Sequence, residues 1–393
     1  MHLRSFVVEN FGPIRKLSWD PGEVTAGWHV FIGDNGAGKS TLLKALSLAM
    51  VGDNGARGLR VKPSTLVRRG SENAVVKAQL SNNSSGKYSP GDQHGILSET
   101  SYHAAFGPIR RYTGGDKKAA NLLDDYPEVA RHLPLFDHTW EMTGVIRWLK
   151  DLQLDHQEPG RNDNRSMGWV QGFLNYSGLL PYGVQLVRVT SAGPIFTDST
   201  RNEFSFHELS DGYQSALGLT LEILRQIFSS AARNTEIVDD HGHLSVETNG
   251  IVLIDEIDAH LHPTWQQRIG GFFTKHFPNM QFLVTTHSPL ICRAAVNGSI
   301  FRLPRPDDLD DEGGMVTGVD RGRLIFGDVL DAYGTEVFGS GITRSEDGRK
   351  KLERLGELNV RVRFGQVLEE GEQIEQRALQ AIFTQAPLSP EDL

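Results

Sequence analysis

Nine consecutive residues near the start of the chain combine three glycines, a lysine and two hydroxyl side chains, at a spacing suited to holding a phosphate group. They match the pattern G-x-x-x-x-G-K-[ST]. Its glycines let the backbone wrap closely around phosphates, while the loop amides and the positive N-terminus of the next helix face the anion. The predicted phosphate loop consists of Gly33, Asp34, Asn35, Gly36, Ala37, Gly38, Lys39, Ser40 and Thr41.

The elements predicted on either side of this loop are the ones that such a site needs. Residues 28–32 read as a buried strand, and residues 42–50 read as a helix with apolar residues on most faces. Strand, glycine loop and helix in that order favour a binding site over a glycine-rich turn with a chance lysine. Lys39 would then reach the β and γ phosphates of a nucleotide, and the Ser40 hydroxyl would be a ligand of Mg²⁺.

Two carboxylates follow another apolar run later in the chain. Residues 251–254 read as a fully buried strand that ends in Asp255 and Glu256. After a phosphate loop, a carboxylate at this point holds the Mg²⁺ shell, so Asp255 would take that role and Glu256 would polarise the attacking water. The alternative is a solvated pair of acids at a strand end, and the phosphate loop earlier in the chain favours the catalytic interpretation.

Two further segments add candidate residues. Residues 209–214 precede a strong predicted helix, and the amides of Ser210 and Gly212 at its start can bind a γ-phosphate. The alternative is a plain helix capped by Ser210 or Asp211. His287 follows a buried strand, at the carboxyl end where open α/β sheets bind their ligands.

The composition is that of an ordinary soluble protein, and it limits the classes of partner. The 393 residues include 40 Lys and Arg against 49 Asp and Glu, a net charge of −9, so any DNA contact needs a local basic patch. The N-terminal residues show no signal of a secretory leader, and no apolar run approaches the ~18 residues of a membrane span, so we expect neither. Its single cysteine, Cys292, cannot form an internal disulfide. We therefore expect a cytoplasmic protein with no membrane partner.

Periodicity predicts further elements around these motifs. Residues 3–8 and 14–19 read as two strands joined by a turn that contains glycine and proline. Residues 139–153 place apolar side chains on one side of a helix, and residues 184–207 read as a strand meander. These segments indicate an antiparallel β subdomain and a helical region beside the main sheet.

The same patterns suggest how the chain is divided. We expect one large domain over residues 1–303, with an insertion at about 114–183 and a polar insertion at 231–250. From about residue 340 the chain reads as helical and charged, which predicts a mostly helical C-terminal extension over residues 304–393.

Taken together, the motifs resemble those of the ABC ATPase superfamily, and within it the branch of SMC, RecF and OLD-type proteins. The resemblance lies in the opening strand and asparagine–aromatic turn at residues 6–12, the phosphate loop, and residues 255–263 with 285–289. It implies an α/β fold of the P-loop NTPase class. That fold is an ABC-ATPase nucleotide-binding domain with an antiparallel β subdomain, an inserted helical region and a helical C-terminal extension.

The resemblance also implies an activity, the hydrolysis of ATP with Mg²⁺. Ser210, Asp211 and Gly212 would form the ABC signature, which one monomer cannot bring to its own phosphate loop. The signature therefore implies a head-to-tail homodimer with two ATP molecules between the subunits. His287 would be the switch histidine at the γ-phosphate. The residues implied in catalysis are Glu256, Lys39 and His287.

Some features depart from the usual pattern of this branch. Asp211 and Tyr213 replace usual signature residues, and no clear glutamine loop can be assigned, with Gln79 and residues 106–111 as candidates. The long coiled coil of SMC proteins is missing, and the C-terminal extension is too short for the nuclease domain of OLD proteins. The acids within residues 307–312 read as a solvated charge run and not as a nuclease site.

Two functions follow from the resemblance. The first is an ATP-driven switch that controls a separately encoded effector, such as a nuclease, in bacterial anti-phage defence. The alternative is a RecF-like clamp that binds DNA during repair or recombination. A transporter ATPase is disfavoured by the N-terminal turn and the histidines after Glu256. The candidate DNA contacts are Arg57, Arg60, Lys62, Arg68 and Arg69, and later Arg344, Arg349, Lys350, Lys351 and Arg354.

Overall fold

The computed structural model describes most of the chain, in segments separated by gaps. The described residues are 1–23, 25–97, 102–110, 126–137, 144–156, 167–180, 182–229, 236–240, 243–306, 308, 311–328, 332, 335, 346–363, 366 and 368–383. The strands are β1 (Leu3–Phe11), β2 (Ile14–Trp19), β3 (Gly27–Ile32), β4 (Val75–Leu80), β5 (Ser85–Tyr88), β6 (Tyr102–Phe106), β7 (Gln185–Thr190), β8 (Gly193–Thr197), β9 (Glu203–Ser205), β10 (Glu236–Asp240), β11 (His243–Glu247), β12 (Gly250–Ile254), β13 (Met280–Thr286), β14 (Gly298–Arg302) and β15 (Gly314–Met315).

Helices lie between these strands and after them. They are α1 (Lys39–Gly58), α2 (Pro127–Ala130), α3 (Leu133–Phe136), α4 (Gly144–His156), α5 (Met167–Tyr176), α6 (Asp211–Ser229), α7 (Pro263–His276), α8 (Pro289–Cys292), α9 (Gly318–Phe326), α10 (Glu346–Arg363) and α11 (Glu370–Phe383). Short 3₁₀ turns are Pro63–Leu66, Phe206–Glu208 and Ala295–Asn297.

The central sheet has the strand order β15-β14-β3-β13-β12-β6, and its pairings are parallel except for β14 with β15. Strands β3, β6, β12 and β13 are buried along their whole length, as expected for a parallel sheet that is covered on both faces. Because β3, β13 and β12 are neighbours that run in one direction, the loops after them meet at one edge of the sheet.

A second sheet supplies the predicted antiparallel subdomain, with the order β2-β1-β4-β5. Its strands alternate buried and exposed residues, so that one face packs inward. Phe6 on that face stacks on Trp19 with ring centroids 4.8 Å apart. The inward face, the helix α1 and the central sheet share one hydrophobic cluster, which fixes the start of α1 against the sheet edge.

The predicted insertions contain more regular structure than their composition suggests. Helices α2 to α5 lie within the first insertion, and the predicted helix begins at Gly144 in the described part, since residues 139–143 lie outside it. The meander forms the sheet β7-β8-β9. The polar insertion forms the hairpin β10–β11, which the sequence did not predict, and Leu244 and Val246 of β11 are buried.

The chain divides into two compact units, Met1–Ala332 and Tyr333–Leu393. The first unit extends past residue 303 because β15 pairs with β14 and α9 follows it. The second unit contains α10 and α11, whose small apolar cluster consists of Leu355, Leu358, Leu368 and Leu379. In the described part of the chain, no helix is both long and apolar enough to cross a bilayer.

Candidate functional site

The predicted phosphate loop joins the buried strand β3 to the helix α1, which begins at Lys39. Gly36 and Gly38 have φ angles of +85° and +99°, in the left-handed region that glycine adopts without steric penalty. A Cβ on Gly38 would lie 2.9 Å from Ile14 and 3.0 Å from Pro13. A larger residue would therefore displace the turn between β1 and β2, so the backbone can wrap closely only with glycine here.

The residues of the loop differ in their exposure to solvent, and the pattern suits a bound magnesium nucleotide. The polar tip faces solvent, and the hydroxyl-bearing residues lie in the first turn of α1, where the positive helix end favours an anion. The exposed residues are Asp34, Asn35 and Gly36, the buried ones are Ala37 and Gly38, and Ser40 and Thr41 are half-buried.

The ammonium group of Lys39 is held within this loop, and only 6% of the residue is exposed. Its Nζ donates hydrogen bonds to the carbonyl oxygens of Gly33 at 2.7 Å and Asp34 at 3.0 Å. Burial lowers the pKa of Lys39, and the largest opposing influences are the carboxylates of Glu256 and Asp255. The positive charge of Lys39 and the negative charges of the carboxylate pair therefore attract each other at one edge of the sheet.

Asp255 and Glu256 follow β12, beside β13 in the central sheet. The Thr285 side chain of β13 joins them, because its Oγ1 donates to Asp255 Oδ1 at 2.6 Å and accepts from the Glu256 N–H at 2.8 Å. Asp255 is buried, whereas Glu256 is half-buried. The φ of Glu256 is +44°, a region that side chains rarely adopt. The second carboxylate is therefore carried by a strained turn.

A buried arginine binds the carbonyl groups of the same turn. Arg110 follows β6, and its Nη2 donates to the backbone oxygens of Asp255 at 2.9 Å and Glu256 at 3.2 Å. Its Nη1 donates to the Ser215 Oγ of α6 at 3.3 Å. The carboxylate turn is thus linked through side chains both to the edge strand β6 and to the helix α6.

The predicted switch histidine lies directly after β13. His287 is exposed, and its pKa is lowered from the usual 6.5 first by partial desolvation and then by the charge of Lys39. The carboxylates of Asp258 and Glu256 act in the opposite direction. Beside it, Thr286 Oγ1 donates to Asp258 Oδ1 at 2.6 Å. His287 therefore shares the electrostatic environment of the phosphate loop and the carboxylate turn.

The predicted signature residues lie at the start of α6. Ser210 and Asp211 are exposed, and Gly212 is half-buried. A Cβ on Gly212 would lie 2.8 Å from the carbonyl oxygen of His260, so this turn packs closely on the segment before α7. Among the residues that the structure describes, no hydrogen bond joins the signature residues to the phosphate loop.

Histidines and acids near the site have roles in the fold. The His262 ring accepts a hydrogen bond from the Thr264 N–H at 3.3 Å and caps α7. Asp311 accepts two hydrogen bonds from Arg302, at 2.5 and 2.7 Å, which lower the pKa of that carboxyl group. In the described ranges, no group of three or more His, Cys, Asp or Glu residues is placed to hold a metal ion.

Two arginines named as candidate DNA contacts bind groups within the chain. Arg68 donates to the carbonyl oxygen of Pro13 at 2.8 Å. Arg354 donates to Glu357 at 3.2 Å and to Glu375 at 3.3 Å. The alternative of a DNA clamp stays a prediction. Arg344 of the later cluster and Asp307 and Asp310 of the acidic run lie outside the described residues.

The comparison that decides the family covers the site itself. A family model described as "AAA domain, putative AbiEii toxin, Type IV TA system" matches residues 29–293, about two thirds of the chain. The chain belongs to this AAA family. The matched range includes the whole phosphate loop, the carboxylate turn, the start of α6 and His287. The protein is accordingly an ATP-binding ATPase with a P-loop α/β fold.

Curated relatives match shorter parts of their own length. The Septu protein PtuA of Bacillus mycoides is 26% identical over 307 residues, which are 75% of this chain and 39% of that protein. The Retron Ec83 probable ATPase of Escherichia coli is 38% identical over 109 residues, 28% of this chain and 19% of that protein. The chain thus spans well under half the length of these relatives.

Solved structures give weaker likenesses. The SMC head domain from Thermotoga maritima covers 81% of this chain and 99% of its own, with 13% identity and a TM-score of 0.42. An SMC head bound to the C-winged helix domain of ScpA covers 80% of this chain and 98% of its own, with 14% identity and a TM-score of 0.44. The fold assignment therefore depends on the strand order and the family match.

Three residues at the site escaped the sequence reasoning. Thr285 stood only within the motif 285–289 and Arg110 only within the region 106–111 considered for a glutamine loop, and no pattern indicated Ser215. A polar pair of threonines before His287, at the end of an otherwise apolar strand, was an available signal for Thr285. Gln79, the other glutamine-loop candidate, is exposed on β4 of the antiparallel sheet and outside the central sheet.

Proposed function

We propose that this ATPase is a switch in which two copies close head-to-tail around two ATP molecules and control a partner effector in bacterial anti-phage defence. The observation that carries the proposal is the placement of the phosphate loop, the Asp255–Glu256 turn and His287 directly after the neighbouring parallel strands β3, β12 and β13, at one edge of the central sheet. Phosphoryl transfer needs mainly positioning and charge stabilisation, which these groups can supply.

Each residue has a defined role in this proposal. Lys39 and the amides of the phosphate loop bind the β and γ phosphates, and the Ser40 hydroxyl and the Asp255 carboxylate hold Mg²⁺, which neutralises charge on the phosphates. Glu256 polarises the attacking water. His287, neutral at pH 7 because its pKa is lowered, contacts the γ-phosphate.

The dimer completes the site. Ser210 and Asp211 are exposed and Gly212 is half-buried at the N-terminus of a long helix, where backbone amides and the helix dipole favour an anion. In the proposed arrangement they bind the γ-phosphate held by the phosphate loop of the other copy. Hydrolysis would then reopen the dimer, because cleavage and release of the γ-phosphate remove the anion that both subunits bind.

The defence role is supported by the kinds of relatives that the chain resembles. One is a Septu protein and the other is a retron ATPase, both of defence-associated families. We propose that the partner is a separately encoded effector, such as a nuclease.

Steady-state ATP hydrolysis by the purified chain tests the proposal, with and without duplex DNA at two salt concentrations. A switch that waits for a protein partner is expected to hydrolyse ATP at a rate that DNA does not change. Strong stimulation by DNA that falls steeply with salt would instead favour the clamp, because phosphate contacts release counterions. Absence of any Mg²⁺-dependent hydrolysis would contradict both.

A further inference from the structure

The guanidinium of Arg110 links three elements that have different roles in the proposed cycle. It follows β6, it binds the carbonyl oxygens of Asp255 and Glu256, and it binds the hydroxyl of Ser215 on α6. The residue is buried, with 7% exposed. Hydrogen bonds from a charged donor are stronger than neutral ones, so these contacts fix the relative position of the helix and the turn.

The turn that Arg110 binds needs such support. Glu256 has a φ of +44°, and a strained backbone of this kind persists only where surrounding contacts determine it. Thr285 Oγ1 binds the Glu256 amide, and Arg110 binds the Glu256 carbonyl. The two contacts hold both sides of the residue, and the direction of its carboxylate depends on them.

The other end of the link is one helical turn from the predicted signature. Ser215 is buried in α6, four residues after Asp211, where the helix begins. A helix moves as a rigid rod over so short a distance, so a shift at its N-terminus displaces Ser215. The Ser215 hydroxyl is the point at which that shift reaches the guanidinium and, through it, the carboxylate turn.

We propose that Arg110 is a positioning residue that couples occupancy of the signature end of α6 to the orientation of Glu256 in the same subunit. Nucleotide held by the partner copy seats against Ser210–Gly212, α6 shifts, and the Arg110–Ser215 contact sets the carboxylate turn. Each subunit thus hydrolyses its own ATP only after it has engaged the ATP of its partner. The inference rests on the proposed head-to-tail dimer.

Two conservative variants of the full chain test this coupling. Ser215→Ala removes the hydroxyl at a position where alanine suits a helix. Arg110→Lys keeps the charge but lacks the planar fork that reaches several acceptors at once. We expect both to lower kcat about tenfold, the loss of one hydrogen bond to a charged donor, while the Kd for ATP stays unchanged. The Hill coefficient for ATP should fall from above 1 to about 1 in Ser215→Ala.

The controls separate this coupling from general damage and from failure of the dimer. Thermal unfolding and ATP affinity report damage, and Thr220→Val, which removes another buried hydroxyl on α6, is the matched variant that should keep the kcat and Hill coefficient of the wild type. A Ser215→Ala chain with wild-type kcat and Hill coefficient overturns the coupling alone, provided that Glu256→Gln dimerises with ATP. A Glu256→Gln chain that stays monomeric with ATP overturns the proposed dimer and the coupling together.

Discussion

The edge of the central sheet and the start of α6 carry the two halves of the candidate site in different ways. At the sheet edge, Lys39 and Asp255 are buried and hydrogen-bonded to neighbouring groups. At the start of α6, Ser210 and Asp211 are exposed to solvent. The groups proposed for hydrolysis are therefore assembled within one chain. The predicted signature residues Ser210 and Asp211 are accessible to a second molecule.

Under the proposed head-to-tail dimer, this contrast predicts that one chain binds ATP without hydrolysing it efficiently. Groups held by buried strands need no further ordering, so the phosphate loop and the carboxylate turn are preorganised for their charges. In the proposed dimer, the signature amides contribute only when a second copy approaches. Substitutions at the sheet edge should therefore affect one chain, whereas substitutions at the start of α6 should affect the encounter between two chains.

The largest expected effect is on hydrolysis, at the exposed side of the carboxylate turn. We expect Glu256→Gln to lower kcat by about 1,000-fold, since a positioned general base contributes roughly 10²–10⁴-fold. The affinity for ATP should be retained, because Lys39 and the loop remain. A rapid-quench assay measures the first and equilibrium binding the second. Equal hydrolysis by the variant and the wild type would remove Glu256 from its assigned role.

The phosphate loop should control binding and not only the rate. We expect Lys39→Ala to weaken ATP binding by roughly 100-fold, the upper range for lost hydrogen bonds from a charged group. Isothermal titration with a slowly hydrolysed analogue measures it. Lys16→Ala, an exposed lysine on β2, is the matched control and should bind as wild type does. Unchanged affinity in Lys39→Ala would contradict the assignment of the loop.

A smaller effect should follow from a change of Thr285, the threonine that links Asp255 to Glu256. Thr285→Val keeps the shape but removes the hydroxyl that binds the Asp255 carboxylate and the Glu256 amide. We expect unfolding free energy to fall by about 1–3 kcal/mol, the penalty of leaving buried polar groups unpaired, and kcat to fall about tenfold. Thr285→Ser should restore most of both, and failure of that rescue would argue against the hydrogen bonds.

The smallest effect concerns pH. Desolvation and Lys39 lower the pKa of His287 below 6.5, so the ring is already neutral at pH 7 and gains its proton only in more acidic solution. If the neutral ring is the active form, kcat/KM for ATP should vary less than about twofold from pH 8 down to the unperturbed value near 6.5, and fall below it. His287→Gln should lack that acidic limb. An acidic limb centred above pH 6.5 that is absent in this variant would mean that the pKa of His287 is raised and not lowered, which would contradict the prediction.

The parts of the site that could be predicted from the sequence are those with strong local patterns. A fully apolar strand followed by a glycine loop, or by two acids, leaves few alternatives for residues 28–41 and 251–256. The positive φ of Gly36 and Gly38 agrees with the reason for placing glycine there. The parallel strand order brings the loops to one edge of the sheet. The sequence indicates this arrangement only indirectly, because the chemistry that the motifs imply requires them to lie together.

Contacts between distant residues could not be predicted in this way. Arg110 and Ser215 are 105 residues apart, and no periodicity connects them. The hairpin β10–β11 was missed because its composition is polar, although Leu244 and Val246 alternate as a half-buried strand requires. The first unit extends to Ala332 because a two-residue strand, Gly314–Met315, pairs with β14. So short a strand gives no pattern that a sequence can show.

The central claim is that the signature of one copy completes the site of another. The most direct test is the mass in solution of the Glu256→Gln chain by sedimentation equilibrium, with Mg²⁺ and either ATP or ADP, beside a second chain that also carries Ser210→Arg. The account predicts a dimer with ATP, a monomer with ADP, and a monomer in both nucleotides for the double variant, whose affinity for ATP is unchanged. The same mass with ATP and ADP, or an ATP dimer that survives Ser210→Arg, would contradict it.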